Sequence, residues 1–181
     1  MKKKYMIMST VISLAAILGI SIYFGIQKNA NFSDKIIYLK DVPENNRISS
    51  DTDSVIYSRK ELETEASIIV KVEILDELSS KNSLIEYHEG YGMVIRFCAV
   101  RSARILEVYK DNGKLSDKDE FQVQESCAIY EQDGEYYYEV QDDVPPLEKG
   151  TKYILYLDDG IENMSGRPAI MSGSNGIMKL D

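Results

Sequence analysis

Twenty-two consecutive residues, Tyr5 to Ile26, carry no charge and consist of apolar side chains interspersed with small Ser, Thr and Gly. As a helix this run would extend about 33 Å, enough to cross a bilayer, and few other folds can bury so long an apolar stretch. Lys2, Lys3 and Lys4 precede it and Lys28 alone follows closely, so the positive-inside rule places the amino terminus in the cytoplasm and the remainder outside. A cleaved signal peptide is the competing reading. Its apolar region is shorter, about 7 to 15 residues, and ends at small residues, whereas cutting after Gly25 leaves Tyr23 three places back and cutting after Ala30 leaves Lys28 there. An uncleaved signal anchor over residues 1–28 is therefore expected, with residues 5–26 in the lipid bilayer.

Residues 29–57, rich in Asn, Asp and Ser, suit a polar spacer, with apolar islands at Ile36 to Leu39 and Val55 to Tyr57 able to dock on the carboxy-terminal domain. That domain, 58–181, has enough apolar content for one packed core: 44% of the chain is hydrophobic, without glycine or proline bias. Residues 1 to 30 carry +4, so the chain beyond them carries −13 of the net −9. Such a domain repels phosphate backbones, which excludes nucleic acid as the expected partner and favours basic or cationic ones.

Ser58 and Glu61 have the spacing of a capping box, with Leu62 and Ala66 on one face of the short helix it would start. Beyond it the texture is β. Ser67 to Leu78, with Ile68, Ile69, Val70, Val72, Ile74 and Leu75, reads as a first strand, and Met93 to Tyr109 as a long second strand, its alternation broken at Arg101 to Ala103 as by a bulge. Ser79 to Gly92 reads as a loop or ragged hairpin. Asp133-Gly134 between alternating segments predicts a two-residue hairpin, with Ile129 opposite Tyr138 and Cys127 opposite Val140 on a core face, and Tyr130 opposite Tyr137 outside. Lys152 to Leu157, Ala169 to Met171 and Ile177 to Leu180 are further strands, the last two joined by a tight turn. The expected fold class is mainly β: a small five- to seven-stranded antiparallel OB-like barrel with one short helix, preceded by a single transmembrane helix.

The segments Ala66-Ser67-Ile68-Ile69-Val70-Lys71-Val72, Ala103 to Lys110, Glu148 to Leu157 and Asn175-Gly176-Ile177-Met178 carry a resemblance. From Ser58 to its end the chain resembles bacterial surface-anchored proteins whose OB-like barrel is related to the netrin and tissue-inhibitor-of-metalloproteinases modules. The resemblance implies that architecture and an extracytoplasmic setting. It does not imply metalloproteinase inhibition, which works through an amino-terminal cysteine; here the apolar run occupies that end.

No catalytic constellation emerges, so no enzyme is expected and no cofactor. His88 is the only histidine and reads as a solvent-facing loop residue. Acids at Asp142-Asp143, Asp158-Asp159 and Asp117 to Glu120 lack EF-hand spacing and read as solvated surface, leaving no metal site expected. The alternatives to a membrane-tethered binding or interaction module are a cell-surface enzyme using these carboxylates, and a structural component of a membrane complex. Tyr130 and Tyr137, both outward in the hairpin register, are the candidate binding residues for a protein partner at the cell surface.

Cys98 and Cys127 lie outside the reducing cytoplasm in this topology, where pairing is allowed. A turn at Asn112-Gly113 would set them opposite each other but would place Leu106 and Val108 against aspartates. Pairing Leu106 with Val123 and Val108 with Phe121 satisfies burial better, and leaves the cysteines four residues out of step, roughly 13 Å along the strands. Two unpaired, buried thiols are expected.

Overall fold

The computed structural model of the chain describes residues 35–52, 55–111, 113–115 and 117–180. The expected membrane span lies outside them. Among the described residues no helix is long and apolar enough to cross a membrane.

Alternation of β-branched residues sets the first long strand of the core. In β2 (Ile68–Ile74), Ile68, Val70, Val72 and Ile74 are buried and the residues between are half-buried, the period of a strand with one face on a core. Before it, α1 (Arg59–Glu65) begins as the spacing predicts: Ser58 Oγ accepts from Glu61 N, and the Glu61 carboxylate accepts from Ser58 N at 2.7 Å. Its Leu62 and Ala66 pack with Tyr156 on the outer side of the sheet, where the Arg59 guanidinium also stands 5.3 Å from the Tyr156 ring.

The other strands are β1 (Arg47–Ser50), β3 (Ser83–Tyr87), β4 (Val94–Lys110), β5 (Glu120–Glu125), β6 (Cys127–Gln132), β7 (Glu135–Gln141), β8 (Lys152–Leu157) and β9 (Ile177–Leu180). The 17-residue β4 is the spine. One of its edges pairs with β3 and then β2; the opposite edge pairs with β5, as Ala99, Ala103 and Arg104 show by having partners on both sides. The larger sheet runs β3-β4-β2-β8-β9, with β5 on the far edge of β4, and the smaller runs β1-β7-β6. The mainly β class and, among the described residues, the single short α-helix are thus as expected.

Several expectations are corrected. Among the described residues nine strands replace five to seven, and β1 pairs parallel to β7, so the fold is not wholly antiparallel. The sheets are open and do not form a closed barrel. The chain leaves the larger sheet at Ser126, between β5 and β6, and the far edge of β6 meets β3 through side chains: Ile129 N donates to Ser83 Oγ at 2.8 Å and Tyr87 Oη to Glu131 O at 3.3 Å. Side-chain bonds satisfy that edge where a backbone ladder would have closed the barrel.

Ser79 to Gly92 contains a true strand, β3. Ala169 and Ile170 form only isolated bridges, and Gly173–Gly176 is a 3₁₀ turn. Of the segment expected as a spacer, Ile37 and Val42 are fully buried and Arg47–Ser50 supplies β1. The β4 bulge expected at Arg101 to Ala103 is not there; extra residues occur at Ile95, Leu106 and Tyr109, and each bulged side chain is exposed.

The β4–β5 register is also corrected. Arg101 faces Val123 and Ala103 faces Phe121, whereas Leu106 and Val108 lie 40% and 43% exposed, past the end of β5. The inward face of β4 in this stretch is Ala99, Arg101 and Ala103, which leaves Leu106 and Val108 no buried partners on β5. An arginine occupies a core position that apolar patterning would never give it.

Candidate functional site

The β6–β7 hairpin has the register that Asp133-Gly134 dictates: Cys127 faces Val140, Ile129 faces Tyr138 and Tyr130 faces Tyr137. Asp133 (φ 54°) and Gly134 (φ 82°) both take the left-handed conformation that a two-residue type I′ turn requires. Tyr130 and Tyr137 stack with centroids 5.7 Å apart and planes 20° from parallel. Tyr130 is only 6% exposed, however, so of the two candidate binding residues only Tyr137 offers part of its ring to a partner. Tyr130 Oη donates to Glu139 Oε2 at 2.9 Å, and burial followed by that carboxylate holds its phenol well above the usual tyrosine range.

Arg101 is the largest fully buried side chain among the described residues. It stands between two apolar clusters, one containing Ala103 and Val123, the other Ala99 and Cys127. Its Nη1 donates to Glu125 Oε1 at 2.8 Å and to Leu147 O at 3.0 Å, its Nε donates to Asp76 Oδ1 at 3.1 Å, and its Nη2 donates to Asp76 O. Glu125 Oε2 accepts from Leu147 N at 2.9 Å and from the Cys127 thiol at 3.9 Å. Desolvation nevertheless wins over the arginine's pull and raises the Glu125 carboxyl above the ordinary glutamate value.

Asp76 reaches out of this cluster to the floor of a cleft of about 630 Å³, whose walls include Tyr38, Lys81, Lys149 and Arg167. Its carboxylate oxygens also accept from Ser102 N. A second cleft of about 360 Å³ adjoins, sharing Tyr38, Glu77 and Lys149. Neither cleft is legible in the sequence. The one signal is the break in alternation at Arg101, which reads more simply as a bulge.

The other singled-out residues have local work. His88 is exposed, stacked edge-on with Tyr91 at 5.0 Å, its Nδ1 2.9 Å from Glu89 O. Asp142 holds Thr52 N and Oγ1, and Asp158 organises its loop by accepting from Gly160 N, Ala169 N and Asn163 Nδ2. Glu120 lies 3.7 Å from Arg104. Among the described residues no three His, Cys, Asp or Glu side chains gather as a metal would need. Cys98 and Cys127 are free and buried; burial pushes the Cys98 thiol up to about 11 and the Cys127 thiol well above its usual value. No protein-family model and no curated protein matches the chain.

Proposed function

We propose that the chain is a membrane-tethered extracytoplasmic binding or interaction module, its domain an opened relative of the OB-like netrin and tissue-inhibitor-of-metalloproteinases modules. Support for the tether comes from the charge-free run 5–26 with its lysines on the amino-terminal side. Support for binding over catalysis comes from one observation, the state of the two carboxylates that converge on Arg101. Glu125 is closed to solvent, and Asp76 holds Arg101 and Ser102 N at the edge of the cleft, so both carboxylates serve to compensate the buried guanidinium.

The test is protease added outside intact cells or spheroplasts that express the full chain with an amino-terminal tag. The tethered reading expects the domain to be digested and a membrane-bound tagged stub to survive. Recovery of an intact soluble chain, or of a mature species beginning between Gly25 and Phe32, would remove the tether.

A further inference from the structure

Lys81, Lys149 and Arg167 line the larger cleft, and Lys40 stands on the adjoining one. Among the described residues none of these four makes an ion pair, whereas Arg96, Arg101, Arg104 and Lys179 do. The acids on the same surface are mostly engaged. Asp76 is held by Arg101, and Glu148 lies 2.8 Å from Lys179. Glu77 is the one acid there without a cation, among the described residues. On a chain that carries −13 beyond residue 30, these four cations without an ion pair thus stand along two adjoining clefts, while others such as Lys60, Lys71, Lys118 and Lys152 lie away from them. Several unpaired cations sharing one concave surface attract anions more strongly than the same charges standing singly.

A second observation concerns where the chain enters. Ile36 and Tyr38 line the same cleft, and Ile37 is pinned beside it: Ile37 N donates to Ser80 Oγ at 3.1 Å and Ser80 N to Ile37 O at 2.9 Å. Residues 27–35, which join Ile36 to the proposed span, reach about 30 Å when fully extended. Ile36, where the described domain begins its packing, is thus on the lining of the same cleft as Lys81, Lys149 and Arg167. Polybasic segments next to a membrane span attract anionic headgroups in the same way, over distances near a Debye length.

We propose that this face seats the phosphate of an anionic phospholipid headgroup, with Lys81, Lys149 and Arg167 as the binding cations and Lys40 at its edge. The inference rests on the tethered reading of the chain. The test is acetylation of lysines by an amine-reactive reagent, read by mass spectrometry, on the full chain reconstituted into vesicles. One set is phosphatidylcholine alone; the other contains one-quarter phosphatidylglycerol. Lys40, Lys81 and Lys149 should react several-fold more slowly in the anionic vesicles, while Lys60 on α1 reacts equally in both. In the K81E/K149E/R167E variant, Lys40 should return to its rate in neutral vesicles.

Equal rates for the wild-type lysines in both vesicles would overturn the proposal, whatever the variant's folding. So would equal protection by millimolar inorganic phosphate in neutral vesicles, which would identify a free-phosphate site. Flotation separates this failure from failure of the tether: a chain that floats with both vesicles but is labelled equally refutes the face alone. A chain that floats only with anionic vesicles refutes the tether and keeps the face, and one that floats with neither refutes both.

Discussion

Arg101 Nη1 lies 2.8 Å from Glu125 Oε1 across the junction of the two main apolar clusters, with their side chains 0% and 5% exposed. The pair is diagonal: Arg101 is directly opposite Val123, and Glu125 is opposite Ala99. Because Leu147 N and O both bond to it, the pair also fixes the loop that follows Pro145-Pro146.

Removing either partner leaves the other buried without compensation, so R101M and E125L should each destabilise the fold by about 3–5 kcal/mol. The double variant should cost clearly less than the two combined, with a coupling of about 1–3 kcal/mol. Denaturant unfolding of the detergent-solubilised full chain, followed by tyrosine fluorescence, gives the cycle. Additive losses would show that the two side chains act independently.

The Glu125 carboxyl is raised in the folded state, so the native protein binds this proton more tightly than the unfolded chain does. Its contribution is complete below the unfolded value, about pH 4.3, and is lost as pH rises through the folded value. Glu61 and Glu148, held low by Ser58 and Lys179, act oppositely, losing their contribution as pH falls through their folded values. Between the ordinary glutamate value and the raised one, stability should therefore fall with rising pH. R101M/E125L should flatten that segment of the curve; an unchanged slope would assign it to another group.

Tyr130 and Tyr138 ionise late, each chiefly because it is buried, with Glu139 adding to the effect on Tyr130. An alkaline absorbance titration of the folded protein should show a delayed fraction that includes these two. Y130F should remove part of the delayed fraction and cost about 1 kcal/mol for the lost hydrogen bond to Glu139. If Y130F removes only early-titrating absorbance, Tyr130 is open to solvent.

Gly160 has φ +72°, and a β-carbon there would overlap the backbone carbonyl group of Arg167, which cannot move aside as a side-chain tip would. G160A should destabilise the fold by about 2 kcal/mol or more, by backbone strain and overlap together. At Gly134, where nothing stands within 4 Å, alanine meets only the φ penalty and should cost less. Thermal unfolding of the two variants side by side checks the order.

Cys98 and Cys127 should resist a thiol reagent in the folded protein and both react once it is unfolded without reductant. Rapid labelling of the native protein would contradict their burial, and absence of labelling after unfolding would reveal a disulfide.

Local chemistry is legible in the sequence wherever a residue acts on its near neighbours. Ser58 and Glu61 close their capping box within four residues, and Asp133-Gly134 fixes the register of β6 and β7 because the left-handed turn allows only one pairing. Alternation in β2 likewise reflects one buried face. Relations between distant segments, by contrast, exist only once the chain is folded. Apolar patterning assigned Leu106 and Val108 to the core, but β4 serves three partner strands and bulges at Leu106 and Tyr109, turning those side chains outward. Arg101 could enter the core because Glu125, Asp76 and the Leu147 carbonyl, remote in sequence, meet its guanidinium. The cationic face is of the same kind: Lys40, Lys81, Lys149 and Arg167 stand on four separate connecting segments, and only the way those segments are packed together makes them one surface.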